Sequence, residues 1–177
     1  MISGRLLQRD EVEKVWTIDR REVIEAVYTA SGGELSLHPE HFDMRGWPPG
    51  EAELYTSLLY ACFDRGGWFY GLFEGDKLVG VAILDTQWLG ERGDLLQLKF
   101  LHVSCLYRGQ GLGQQLFDMA AAEARRRGAK GMYVSATPSE HTIQFYLARG
   151  CRLTAHPDPE LFALEPEDIH LEFYFPE

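Results

Sequence analysis

The sequence predicts an α/β domain built on a mixed central sheet of about six or seven strands, with helices on both faces. Three observations carry this. An apolar run, Leu95–Val103, leads through a glycine-rich turn into a helical pattern that begins at Leu112. Strand-like and helix-like segments then alternate to the C-terminus. Upstream, two apolar runs flank Glu74-Gly75-Asp76-Lys77, a short Gly-Asp link of the hairpin kind. With 177 residues, one domain with a sizeable core is expected.

Taken in order, residues 3–8 read as a short first strand. Residues 10–30 are helical in period, as two helices or one kinked one, with Val12, Val15, Trp16, Val23, Ile24 and Val27 at the apolar positions. Ala30-Ser31-Gly32-Gly33 ends that run. A short strand is open to residues 34–38. Residues 38–50, HPEHFDMRGWPPG, form the longest irregular stretch, because prolines and glycines exclude regular structure. Phe42, Met44 and Trp47 have little reason to sit in solvent there. Either the loop walls a substrate pocket, or its aromatics tack it to the core.

Glu51–Asp64 reads as a helix with Leu54, Leu58, Leu59 and Ala61 on its apolar side, stopped by Gly66-Gly67. Residues 68–73 and 78–84 are the hairpin strands. After the Leu95–Val103 strand, a helix over 112–127 closes on Arg125-Arg126-Arg127-Gly128. Three cations suit the negative end of its dipole, and Gly128 suits a left-handed cap. Gly131–Ala136 is a strand. Thr137-Pro138-Ser139-Glu140 reads as a capping box with Pro at the first helical position, and Gly150 ends the helix that follows. Residues 151–155 and 170–175 are closing strands around a Pro- and acid-rich loop at 156–168. The chain shows no repeats and no low-complexity segments.

Composition narrows the function classes. No apolar run reaches the ~18 residues of a membrane span. The N-terminus MISGRLLQRDEVEK has no apolar region of the secretory kind. Cys62, Cys105 and Cys151 are odd in number and scattered, which argues for reduced thiols in a cytoplasm and against a disulfide or zinc scaffold; no metal is expected. A formal net charge of −10 argues against sequence-independent nucleic-acid binding. It would steer a cationic substrate, or simply keep the chain soluble.

The chemistry concentrates at Arg108-Gly109-Gln110-Gly111-Leu112-Gly113. Strand, glycine-rich turn and helix together make a phosphate holder. Glycine backbone can approach an anion and adopt φ > 0, and the unpaired N–H groups of the helix's first turn point at the anion. No Asp or Glu lies between Lys99 and Gln115 to repel a phosphate. No Gly-Lys-Ser/Thr follows, so this is not a P-loop. Gln114 stands where a dinucleotide fingerprint needs Gly or Ala.

The motif resembles the acyl-coenzyme-A loop of the GNAT N-acetyltransferase superfamily, Gln/Arg-x-x-Gly-x-Gly/Ala after a strand, which Arg108, Gly111 and Gly113 match. Phe145-Tyr146-x-x-x-Gly150 adds a second match at that superfamily's spacing, and the resemblance spans roughly residues 67–155. It implies a helical substrate-side region at 1–66, an acyl-CoA-binding core at 67–155, and a closing loop and strand at 156–177. It also implies a motif strand and a Gly131 strand that splay to admit the pantetheine arm of acetyl-CoA. Arg108, Gly109, Gln110, Gly111, Leu112, Gly113 and Gln114 would cradle the pyrophosphate. Leu101, His102 and Val103 would present backbone groups to the pantetheine and the thioester; for Leu101 and Val103, core packing is an equally open use.

Tyr146 would be the general acid for the departing thiolate, or a packed core aromatic. Ser139 stands where an Asn commonly contacts the cofactor, and Thr142 where a small apolar residue is usual. The positions that carry a Glu or His base in relatives correspond to Gln97 and Lys99, so no base is named; His102, Glu140 and His141 are nearby, and a water chain through Gln97 is an alternative. Cys105 opens a covalent acyl route, with no His to activate it. The activity implied is acetyl transfer from acetyl-CoA to an amine of a small molecule or peptide, with a homodimer left open. A non-catalytic acyl-CoA sensor or interaction module is the alternative.

Overall fold

A computed structural model describes residues 1–177. In chain order the elements are β1 (Ile2–Leu6), a 3₁₀ helix (Arg9–Thr17), β2 (Glu22–Ser31), β3 (Glu34–Met44), α1 (Glu51–Asp64), β4 (Trp68–Glu74), β5 (Lys77–Leu89) and β6 (Leu95–Val103). A 3₁₀ turn (Cys105–Tyr107) precedes α2 (Leu112–Arg126), β7 (Gly131–Ala136), α3 (Glu140–Ala148), β8 (Arg152–Leu153), α4 (Pro159–Leu164) and β9 (Ile169–Tyr174). The expected mixed sheet is there. Seven strands run in the order β1-β4-β5-β6-β7-β9-β8, and β2 and β3 form a separate two-stranded sheet. The β6–β7 pair is parallel, through Leu95–Gly131, Leu96–Met132 and Gln97–Tyr133. The β1–β4, β4–β5, β7–β9 and β8–β9 pairs are antiparallel. No helix is long and apolar enough to cross a membrane.

By contacts the chain forms two compact units. The first comprises Met1–Glu22, Met44–Thr86 and Leu98–Glu123. Its core gathers Val12, Val15 and Ile18 from the N-terminal segment, Leu59 and Cys62 from α1, and Phe69, Phe73, Val81, Ile83 and Phe100 from the strands. Fully burying side chains of this size contributes about 1.5–3 kcal/mol each. The buried face of α1 is Tyr55, Leu59 and Cys62, spaced at i, i+4 and i+7. The expected Leu54, Leu58 and Ala61 face outward, so the helix is rotated by about one position from the sequence reading. Trp16 and Trp47 meet edge to face at 4.8 Å, and Trp47 Nε1 donates to the Ile18 carbonyl at 3.0 Å. Trp47 is thus tacked to the core, while Phe42 on β3 stays half exposed.

The second unit comprises Val23–Asp43, Gln87–Gln97 and Ala124–Glu177. Its frame is β7 against β9, in register from Gly131–Tyr174 to Ala136–Ile169. Tyr133, Met132, Ile143 and Leu171 are fully buried there.

Five expectations are corrected. Residues 22–31, read as helix, are strand β2. Valines spaced for a helix also suit a strand, and here β3 supplies the partner that decides between them. Gly32 and Gly33, with φ of 61° and 79°, make the two-residue turn of this hairpin, a conformation that needs φ > 0 twice. Residues 38–44, read as irregular, continue β3; Pro39 is tolerated because a two-stranded sheet consists of edges. The proposed capping box is absent. α3 starts one residue after its N-cap Ser139, whose side chain makes no cap bond. Instead the Pro138 carbonyl accepts the Tyr28 N–H at 2.8 Å and Val27 bridges Ser139, which holds this entry extended. Finally, the 156–168 loop contains α4. Asp158 caps it by accepting the Glu160 and Leu161 N–H groups at 3.1 Å each, and Pro159 sits at the first turn. The strand expected at 151–155 shrinks to β8.

Candidate active site

The turn at 108–113, read from the sequence as a phosphate holder, has the backbone its glycines allow. Gly109 and Gly111 take φ of 76° and 81°, a region that a side chain rarely enters. A Cβ placed on either would meet nothing within 4 Å, so the loop leaves open space above both glycines. α2 follows at once. Gln115 N–H reaches the Gly111 carbonyl at 3.0 Å, and the N–H groups of Leu112, Gly113 and Gln114 precede the first intrahelical donor. These residues fit an anionic, phosphate-bearing group. Gln110 and Gln114 are exposed, and Leu112 is buried beneath the turn.

Arg108 is placed otherwise than its charge suggests. Its guanidinium donates to three backbone carbonyls: Val103 at 3.0 Å, Arg21 at 2.9 Å and Asp19 at 3.4 Å. The same corner is closed by Cys105 N–H on the Asp19 carbonyl and by Ser104 Oγ accepting from Asp19 N–H, at 2.8 and 2.9 Å. Arg108 therefore positions the loop by clamping it to the end of β6 and to the N-terminal segment. Leu101, His102 and Val103 stand half-buried on the last stretch of β6. The His102 ring lies 5.0 Å from Trp47 and 5.4 Å from Phe100, edge to face in both cases. Crowding by protein, with the charges of Arg20 and Arg108, holds its pKa well below the ordinary value, so it is neutral.

Of the two positions where relatives carry a base, Gln97 is buried and Lys99 is engaged. Lys99 Nζ donates to Asp85 Oδ2 at 3.2 Å, and Arg65 grips both Asp85 oxygens at 2.7–3.0 Å. Asp85 is 1% exposed. Burial alone would raise its pKa, but Arg65, the Thr86 N–H and Lys99 bring the net shift below the ordinary carboxylate value. This triad around the buried Asp85 was not read from the sequence. Asp85 and Lys99 sit on different strands, and only the fold brings them together.

Tyr146 is buried on α3, and burial, with the charges of Cys151 and Asp168, raises its pKa above that of an ordinary phenol. It stays protonated at neutral pH, the form in which an acid must stand. Ser139 is buried, and its hydroxyl donates to Thr142 Oγ1 at 2.9 Å, leaving only acceptor capacity for any other partner.

The family model of the acetyltransferase (GNAT) family matches residues 35–151, well over half of the chain. The chain belongs to the GNAT acetyltransferase family. The class this assigns is an acetyl-CoA-dependent acyltransferase. No curated protein matches the chain in sequence. Among solved structures, this GNAT chain is similar to a nourseothricin acetyltransferase, at 18% identity and a TM-score of 0.66, over 99% of both chains. A Bacillus anthracis protein assigned as a streptothricin acetyltransferase, solved with acetyl coenzyme A, is similar at 15% identity and a TM-score of 0.74, again over 99% of each. The PaiA N-acetyltransferase of Thermoplasma acidophilum, solved with coenzyme A, is similar at 14% identity and 0.64, over 99% of each. At these identities the likeness is one of fold, and it spans the whole GNAT chain rather than the motif region alone.

Proposed function

We propose that the chain is an N-acetyltransferase that moves the acetyl group of acetyl-CoA to a primary amine of a small molecule or peptide by direct attack, with Tyr146 as general acid. The observation that carries the reading is the turn at 108–113, with two left-handed glycines opening onto free space directly before α2 in a chain of this family. Arg108 to Gln114 would hold the pyrophosphate, and the backbone of Leu101, His102 and Val103 the pantetheine arm. Acetyl-CoA, when bound, supplies the activated acetyl group. The named relatives that act on antibiotics, nourseothricin and streptothricin, support an amine-bearing acceptor.

Proton transfer divides between two groups. Tyr146 gives its phenolic proton toward the departing sulfur and regains one from solvent. The amine must attack neutral. For a lysine-like amine with pKa ~10.4 that costs about 4–5 kcal/mol at pH 7, and for an amine near pKa 8 only about 1. Lys99 is tied to Asp85, and the suppressed basicity of His102 makes it a weak acceptor. The amine's proton therefore leaves by water, along a path in which Gln97 is a member.

Incubation with acetyl-CoA and a mixed amine panel, followed by free thiol, tests the reading. Turnover with any amine supports it; coenzyme A binding without turnover across the panel makes the chain an acyl-CoA sensor. Two variants sharpen the test. Gly111→Val forces a β-branched residue into the left-handed region and fills the space above the turn, and coenzyme A affinity measured by calorimetry should fall at least about tenfold with the fold retained. Unchanged affinity in the folded variant would remove the phosphate-cradle assignment. Cys105→Ala should keep most of the activity, because direct transfer uses no thiol. A loss beyond about 100-fold, with acetylated protein seen by mass spectrometry, would install the covalent route instead.

A further inference from the structure

Arg5, Arg9, Arg20, Arg21 and Arg65 of the first unit are each spent on a carboxylate. Two arginines of the second unit are placed differently. Arg125, in the last turn of α2, lies over the Phe175 ring at 4.7 Å, and Arg149, the C-cap of α3, lies over the Phe145 ring at 5.2 Å. Neither guanidinium makes an ion pair or a hydrogen bond. The two stacks belong to one row. Phe175 meets Phe173 edge to face at 5.8 Å, and the Phe173 ring lies 3.5 Å from where a Cβ of Gly150, the residue after Arg149, would stand. All three phenylalanines are half-buried. A guanidinium laid over a ring keeps its in-plane N–H donors for another partner, and a carboxylate matches that fork. Arginine and aromatic side chains are also enriched at protein–protein interfaces.

The same unit carries the complement. Residues 22–44, which form β2, β3 and their turn, hold Glu22, Glu25, Glu34, Glu40 and Asp43 and no Lys or Arg. Glu25 faces His41 at 3.1 Å, whereas Glu34 and Glu40 are exposed and make no ion pair. This sheet has no third strand, and nine of the eleven residues of β3 are exposed. Val23 and Phe42 are 57% and 54% exposed. A two-stranded ribbon is marginally stable by itself, and an open strand edge is a template for pairing with another chain. A ribbon that leaves large apolar side chains and unpaired carboxylates in water gains from a cover that supplies both apolar surface and cations.

We propose that the β2–β3 ribbon of one copy covers the arginine–phenylalanine row of a second copy, and that the second returns the same contact about a two-fold axis. Glu34 and Glu40 meet Arg125 and Arg149 of the other copy, and Val23 and Phe42 lie against its phenylalanines. Every contact is made twice, and a pair of this symmetry closes on itself. Nucleic acid or a foreign acidic protein would also offer anions to the row, but only a second copy covers the ribbon and the row together. The net charge of −10 on each copy does not oppose this at physiological salt, where exposed charges more than ~8 Å apart are largely screened and ion pairs at contact are screened much less. The inference is independent of the acetyltransferase reading.

The test is sedimentation velocity on the full chain, which should run as a dimer by about 100 µM. E34K/E40K and R125E/R149E should each raise the dimer dissociation constant at least about tenfold, because each sets like charges face to face. An equal mixture of the two variants should pair again, since every contact then joins opposite charges. Glu34 and Glu40 are exposed, so E34K/E40K keeps the fold, checked by circular dichroism, and it decides the matter alone if R125E/R149E does not fold. A chain that stays monomeric, a dimer unmoved by E34K/E40K, or two folded variants that stay apart on mixing would overturn the proposal. So would a monomer that binds poly-L-glutamate or an RNA oligonucleotide through Arg125 and Arg149, which would give the row to another anionic partner. Growth beyond the dimer would overturn the two-fold closure.

Discussion

Tyr146→Phe is expected to lower kcat at least about 50-fold while the dissociation constant of coenzyme A changes less than about fivefold. Phenylalanine keeps the ring in its buried place on α3 and removes only the hydroxyl. A merely structural tyrosine would lose one hydrogen bond, about 1 kcal/mol of stability, with turnover hardly moved. A general acid loses its proton-transfer contribution, typically about 10²- to 10⁴-fold. The turn proposed to hold the pyrophosphate is a separate stretch of chain, so cofactor affinity should hold. Because burial raises the phenol's pKa above 10.0, its ionisation adds no falling limb to the pH–rate profile below that value. Single-turnover rates must accompany kcat, since slow product release can hide a slowed chemical step. A single-turnover rate within about threefold of the unsubstituted enzyme would reject Tyr146 and make water or the acceptor the next proton donor to test.

Asp85→Ala is expected to destabilise the fold by about 3 kcal/mol, the lower end of the range for breaking a buried pair. The estimate sits there because the Arg65 side chain is 35% exposed and can turn to water, whereas that of Lys99 is 12% exposed and cannot do so as easily. For a chain of this size that lowers Tm by roughly 6–12 °C. The pH dependence has a fixed sign. The folded pKa of Asp85 lies below the unfolded value near 3.8, so its stabilisation is fully present above that value and is lost as pH falls through the folded pKa. Thermal melts from pH 7 to pH 3 should therefore show the Asp85→Ala difference narrowing at the acid end. A difference absent at neutral pH would show that the triad contributes nothing to stability, and one that stays constant down to pH 3 would show that the contribution does not come from the Asp85 charge.

The elements legible in the sequence share a physical trait. β6, β7 and α1 appear with their expected bounds because each is an apolar run or periodic segment cut off by glycines or a charged turn. β2 was illegible because Val23, Ile24 and Val27 fit either period, and only a partner strand chooses between them; of β3, only residues 34–38 were open to a strand reading. Gly32-Gly33 was the available signal, a two-residue turn between strands, and it reads equally as a helix stop. The turn at 108–113 was visible because its backbone is written in glycines at alternate positions, 109, 111 and 113. The Asp85–Lys99–Arg65 triad and the hydrogen-bonded Asp158–Tyr133–His170 chain were not, because each joins residues on separate elements through strand register. Asp158-Pro159-Glu160 could have disclosed α4, and with it the ring of Phe162 beside His170.

The Arg108 clamp makes the 108–113 turn a product of distant chain. Its two N-terminal carbonyl partners stand 87 and 89 residues upstream, so the turn takes its shape when the domain folds and not when a ligand arrives. The ordering entropy of the turn is then lost once, in folding, and does not weaken each binding event. Preorganisation of this kind ties affinity to residues that need never touch the ligand. In the proposed coenzyme A site the backbone of Asp19 and Arg21 takes part by mechanical linkage, and loosening that corner is expected to weaken coenzyme A binding without altering one contact to it.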